Sequence, residues 1–176
     1  MIVLRWFGLY CILLGMVACS TNPAVQHSKK PGCPSEPPAQ NYVGLKIPPM
    51  PKGHETELGY LLGPEDQGKY SVEVVNFGPN KIVWMGRLLY HDEKGRAHWE
   101  IIAALPPRPL LTGYHFSRGN CLHHNKLQPE IVAILKIEDK KTLTQIRQAW
   151  KADPQKELFE PLPLEGIQCV NEGSKH

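Results

Sequence analysis

The chain has 176 residues, with 20 Lys and Arg against 17 Asp and Glu, a net charge of +3, and 41% hydrophobic residues. A balance this close to neutral, with no basic stripe interleaved with aromatics, excludes binding to nucleic acid through phosphate neutralisation. The length supports one hydrophobic core rather than two.

The first eighteen residues form a distinct segment. The Met1 amine and Arg5 precede an apolar run from Trp6 to Val17, interrupted by Tyr10 and two glycines. That run has the length of a signal-peptide core and is short for a membrane-crossing helix, which needs about 20 apolar residues. It ends in Met16-Val17-Ala18-Cys19-Ser20, small residues followed by one cysteine. This pattern resembles the signal peptide of bacterial lipoproteins, although Met16 stands where such signals more often have leucine. The resemblance implies cleavage before Cys19, acylation of that cysteine, and transport to the outer membrane, since Ser20 is not the retention aspartate. Several acyl chains give stable anchoring where one gives only reversible binding. An uncleaved anchor or a plain secretory signal is the competing reading.

Residues 19–52 read as a lipidated cysteine followed by a tether. Pro23, Pro31, Pro34, Pro37, Pro38, Pro48, Pro49 and Pro51 fall here, and proline fixes φ and removes a backbone donor. Some thirty such residues reach about 90 Å when extended. The competing reading has Tyr42 to Ile47 packed on the domain.

Residues 53–171 read as one domain. Leu58 to Leu62 is a short apolar cluster before the Gly63-Pro64 turn. Lys69 to Phe77 alternates, with Tyr70, Val72 and Val74 on one face and Ser71 and Glu73 on the other, which predicts a half-buried strand. Lys81 to Tyr90 predicts a second strand, with Ile82, Trp84 and Leu88 on one face and Val83, Met85 and Leu89 on the other. His91-Asp92-Glu93-Lys94-Gly95 makes a turn. Arg96 to Leu105 returns as a strand with Trp99, Ile101, Ala103 and Leu105 on one face, completing a hairpin. Pro106-Pro107-Arg108-Pro109 interrupts the pattern, and Leu110 to Pro129 reads as a long irregular loop.

Glu130 to Ile137 carries a near-continuous apolar run, which predicts a central strand. A helix is expected next. Thr142 and Gln145 have the spacing of a capping box, and Leu143, Ile146, Ala149 and Trp150 make a helical stripe. Asp153-Pro154 stops it. Ile167 to Val170 predicts a last short strand, followed by a polar tail from Asn171, with residues 172–176 outside the domain. The order predicts an α+β fold: a small antiparallel sheet of four or five strands with one packed C-terminal helix. Three stretches, Pro129 to Ile134, Ile146 to Trp150 and Gly166 to Gly173, resemble small uncharacterised proteobacterial envelope proteins. That resemblance implies a domain type and lends no chemistry.

The cysteines constrain the rest. Cys11 leaves with the signal and Cys19 takes lipid, so Cys33, Cys121 and Cys169 remain in a compartment that permits disulfides. Cys121 and Cys169 lie in the globular part and Cys33 in the tether, which favours a Cys121–Cys169 bridge. The sequence offers one candidate chemical site. His115, Cys121, His123 and His124 fall within ten residues and supply donors suited to zinc or copper. A polar loop stapled to the C-terminal strand is the competing reading, and a disulfide at Cys121 removes the thiolate. No nucleophile elbow, phosphate-cradling glycine loop or zinc-protease helix occurs. Trp84, Trp99 and Trp150 read as core or as the lining of a ligand groove. The expectation is a non-enzymatic lipoprotein of the outer membrane facing the periplasm, without cofactor, that contacts another envelope protein or the cell wall. The alternative is a metal-binding or redox module built on the histidine loop.

Overall fold

The structure is a computed structural model that describes residues 39–63 and 68–173. The lipidation segment, Cys19 and Cys33 lie outside the described residues. A short 3-10 turn, Ala39–Tyr42, leads into thirteen strands: β1 Lys46–Ile47, β2 His54–Leu61, β3 Tyr70–Phe77, β4 Asn80–His91, β5 Ala97–Arg108, β6 Tyr114–Phe116, β7 Cys121–His123, β8 Lys126–Leu127, β9 Ile131–Lys136, β10 Thr142–Leu143, β11 Ile146–Asp153, β12 Leu158–Pro161 and β13 Ile167–Val170. They build three antiparallel sheets: sheet A in the order β1-β5-β4-β3-β2, sheet B β12-β11-β9-β6, and sheet C β10-β13-β7-β8. No α-helix occurs among the described residues, and no helix there is long and apolar enough to cross a membrane.

Three apolar clusters show how the sheets stack. Val72, Val74, Val83, Met85 and Leu105 of sheet A meet Val132, Ile134, Trp150 and Ala152 of sheet B. The other face of sheet B, Ile131, Ala133, Leu135 and Ala149, is covered by Cys121, Leu143, Ile167 and Cys169 of sheet C. The other face of sheet A, Val75, Ile82, Trp84 and Ile101, is covered by Tyr42 and Ile47 of the N-terminal segment. Strand β9 is buried on both faces from Ile131 to Leu135, which is why its sequence does not alternate. The described elements therefore begin at Ala39, inside the stretch expected to be tether. Gly44 N–H donates to the Ile101 carbonyl and Ile101 N–H to the Leu45 carbonyl, each at 2.8 Å.

The expected helix is the main correction. Residues 142–153 form β10 and β11, so the fold is nearly all β and the α+β assignment fails. A bulge explains the misleading periodicity. Ile146 pairs with Leu135, but Gln148 already pairs with Ile134, so one extra residue sits in β11. The bulge turns a spacing of two into three. Ile146 and Ala149 consequently share the face toward sheet C, while Trp150 and Ala152 face sheet A. The apparent helical stripe is the sum of two opposite strand faces. Gln145 does not cap a helix; its side chain donates to Glu138 Oε1 at 2.7 Å.

A second bulge corrects the hairpin. Met85 pairs with Ala103 and Gly86 with Ile101, leaving Ile102 extra on β5. Trp99 and Ile101 therefore pack on the N-terminal side of sheet A, and Ala103 and Leu105 on the side facing sheet B. The prolines at 106 and 107 do not end this strand. They sit at a further register shift, where β1 no longer flanks β5, and proline is tolerated at such an edge. The expected irregular loop from 110 to 129 contains β6, β7 and β8.

Candidate functional site

A cleft with a volume of about 300 Å³ opens at the edge of the stacked sheets. It opens where the β6 edge of sheet B, the β10–β13 end of sheet C and the β2 edge of sheet A come together. Its apolar floor is Leu58, Phe116, Leu135, Leu143 and Val170, and His115, Arg118, Asn120, Glu57 and Glu172 supply polarity.

The loop between β6 and β7 shapes this cleft. Ser117 is buried; its hydroxyl donates to the Ile131 carbonyl at 3.2 Å and accepts from Ala133 N–H at 2.9 Å. Both hydroxyl functions are thus committed to tying the loop to β9. Arg118 N–H donates to Asn120 Oδ1 at 3.1 Å, closing a short ring around Gly119. Gly119 has φ +73°, and a Cβ there would lie 2.8 Å from the Tyr60 ring, so only glycine fits. The Tyr60 hydroxyl beneath it is buried and has no partner among the described residues, and burial pushes its phenol well above the ordinary range. Asn120 Nδ2 donates to the Val170 carbonyl at 2.6 Å, joining the loop to the last strand.

Asn171 forms the opposite wall. Its side-chain amide donates to the carbonyls of Glu138 at 2.8 Å and Lys140 at 3.0 Å, and its N–H to Lys141 at 2.8 Å. The residue expected to begin the polar tail is held at three points. The side chains of Arg118 and His115 have no hydrogen-bond or ion-pair partner among the described residues and are exposed at the cleft. The cleft therefore offers the Arg118 guanidinium and the His115 ring beside an apolar floor, with Glu172 and the Lys81-paired Glu57 on the same lining, on a rim fixed by backbone and amide hydrogen bonds.

The four residues of the metal alternative are not brought together. Cys121 is bonded to Cys169, and both are fully buried. The two are direct cross-strand partners. Val170 N–H donates to the Asn120 carbonyl, so 121 and 169 form the closer, non-hydrogen-bonded type of pair, with Cα atoms 3.9 Å apart. His115 lies on β6 of sheet B, whereas His123 ends β7 of sheet C and His124 begins the turn to β8. His124 and Asn125 both have positive φ, 49° and 65°, the geometry of a two-residue hairpin turn. The His123 and His124 rings lie 4.2 Å apart, but no three His, Cys, Asp or Glu among the described residues are placed to hold a metal ion.

Trp84 and Trp150, and the polar residues of the β4–β5 hairpin, have structural settings. Trp84 is fully buried, and Trp150 lies under the Arg108 guanidinium, 4.9 Å from its ring centre. His98 stacks on Tyr90 at 4.5 Å. Asp92 accepts from the backbone of Lys94 and Arg96 and from the Arg96 side chain. The Arg96 backbone bond is the leading reason its carboxyl is held down at about 2. Sequence reading missed Arg118, Asn120, Asn171 and Glu57 as cleft residues. The Arg118-Gly119-Asn120 stretch was the available signal, since glycine beside an amide side chain marks a built loop. No family model matches the chain, and no curated protein or solved structure matches it.

Proposed function

We propose that the chain is a non-enzymatic lipoprotein, acylated at Cys19 and held at the outer membrane facing the periplasm. Its β domain binds another envelope protein or the cell wall through the cleft between β2, β6 and β13. The observation that carries the binding role is the cleft itself: Arg118 and His115, unpartnered, beside an apolar floor on a fixed rim. An exposed basic group next to apolar surface recognises an acidic, partly apolar segment, with the cation setting orientation and the floor supplying burial. The anchor reading rests on the apolar run and small residues before Cys19. The non-enzymatic reading rests on the sequence, which carries no catalytic motif; Ser117, the hydroxyl nucleophile that lines the cleft, is spent on backbone hydrogen bonds.

A photo-crosslinking residue placed at 118 or 115 in cells tests this. A discrete adduct is expected from both positions and none from position 94, at the exposed hairpin tip. Equal labelling from all three positions, or none from the cleft, would remove the binding role.

A further inference from the structure

A second groove lies on the opposite side of sheet A, where the N-terminal segment crosses it. It has a volume of about 220 Å³ and is lined by Ile47, Pro48, Met50, Thr56, Glu73 and Trp99. Five of these are apolar or neutral, and the sixth is a carboxylate. Glu73 Oε2 accepts from Thr56 Oγ1 at 3.3 Å and from Trp84 Nε1 at 3.4 Å, both long. No cationic side chain pairs with it, and its second oxygen has no partner among the described residues. Burial raises its carboxyl from the ordinary range. Glu73 is half-buried, and a carboxylate partly withdrawn from water without a counter-charge is costly and is normally paired. Space has been left around it: its direct partner on β2 is Gly59, where a Cβ would come within 3.3 Å of Glu73 Cγ.

We propose that this groove is a binding site for a small organic cation, an ammonium group with apolar substituents, held by the Glu73 carboxylate beside the Trp99 indole. The charge selects a cation, and the lining selects its type. A hard metal ion takes six or more oxygen ligands or keeps its water, and one carboxylate among Ile, Pro, Met and Trp does not supply that set. An alkylated ammonium has a weakly hydrated surface that suits apolar walls, and an indole adds cation–π attraction. The volume falls below the roughly 300–1,000 Å³ of sites for drug-sized ligands, which limits the occupant to a headgroup-sized molecule.

The test is a titration of the full chain, in non-ionic detergent, with choline chloride against equal sodium chloride. The indole N–H signals of Trp84 and Trp99 are followed by NMR. Saturable shifts of both signals are expected with choline alone. Glu73→Gln keeps the size and an acceptor for Thr56 and Trp84; it should abolish the shifts while the spectrum stays folded. Trp99→Leu should weaken binding at least ten-fold, read from the Trp84 signal, and carries the test if the Gln variant fails to fold. Absence of any choline-specific shift, or shifts that persist unchanged in the variants, would overturn the proposal.

Discussion

The Cys121–Cys169 bridge closes a loop with a sequence separation of 48 and ties β7 to β13 in the middle of sheet C. Its flanking strands β8 and β10 have two residues each, so hydrogen bonding alone gives this sheet little cohesion. In the chain-entropy account, closing a loop of that length stabilises by about 4 kcal/mol. Against a typical domain stability of roughly 5–15 kcal/mol, that is a large share. The Cys121→Ala/Cys169→Ala pair should therefore lose about 4 kcal/mol in urea unfolding, and its thermal midpoint should fall by roughly 10–15 °C. Alanine is preferable to serine, because both sites are fully buried and a hydroxyl there would lack a partner. Hydrogen exchange adds the location. Amides of β7 and β13 should lose protection first, while those of β3 and β4 in sheet A keep theirs. An unchanged urea midpoint, or protection lost first from sheet A, would refute the view that the bridge holds sheet C onto the fold.

Gly119→Ala forces a Cβ against the buried Tyr60 ring at a positive φ, so it should cost at least about 1–3 kcal/mol in urea unfolding. Trp150→Ala empties the interface between sheets A and B and should cost about 3–5 kcal/mol; a cost near zero would contradict its place in that core. For Glu73 the folded carboxyl lies above its unfolded value, because burial outweighs the bonds from Trp84 and Thr56. Its stabilising contribution is full below the unfolded value of about 4.3 and is lost as pH rises through the folded value. Glu73→Gln should accordingly gain stability at neutral pH, with the gain shrinking on acidification, as urea titrations at several pH values would show. Asp92 runs the other way: its support of the β4–β5 turn is present above the ordinary carboxylate value and lost as pH falls through about 2. Asp92→Asn should speed hydrogen exchange at the Lys94 and Arg96 amides, and unchanged exchange would count against the turn network.

The strand from Tyr70 to Phe77 was legible, because its period two survives in an uninterrupted stretch, but its expected solvent face is covered too: Val72 and Val74 pack toward sheet B and Val75 toward the N-terminal segment. Also legible was the central place of Ile131 to Leu135, through its unbroken apolar run. What hid the rest was the bulge. One extra residue near Arg147 makes Ile146, Ala149 and Trp150 look helical, and residues such as Arg, Gln, Ala and Lys add helix propensity that tertiary pairing overrides. The same device at Ile102 moved Ala103 and Leu105 to the opposite face from Trp99. The cleft was less legible than the strands. His115 stood out by residue type, but its neighbours Glu57, Asn120 and Asn171 come from three distant segments. Only the stacking of the sheets brings them together. Glu73 reads as the solvent face of a half-buried strand, and nothing local signals that Tyr42, Ile47 and Met50 return to cover that face.

The lipid anchor and the disulfide staple are both read from the intact mass of the protein taken from native membranes without reducing agent. The expected mass is that of Cys19 onward plus acyl chains, lighter by two hydrogens than the fully reduced form. A mass that retains residues 1–18, or that lacks acyl groups and carries free thiols at Cys121 and Cys169, would contradict it.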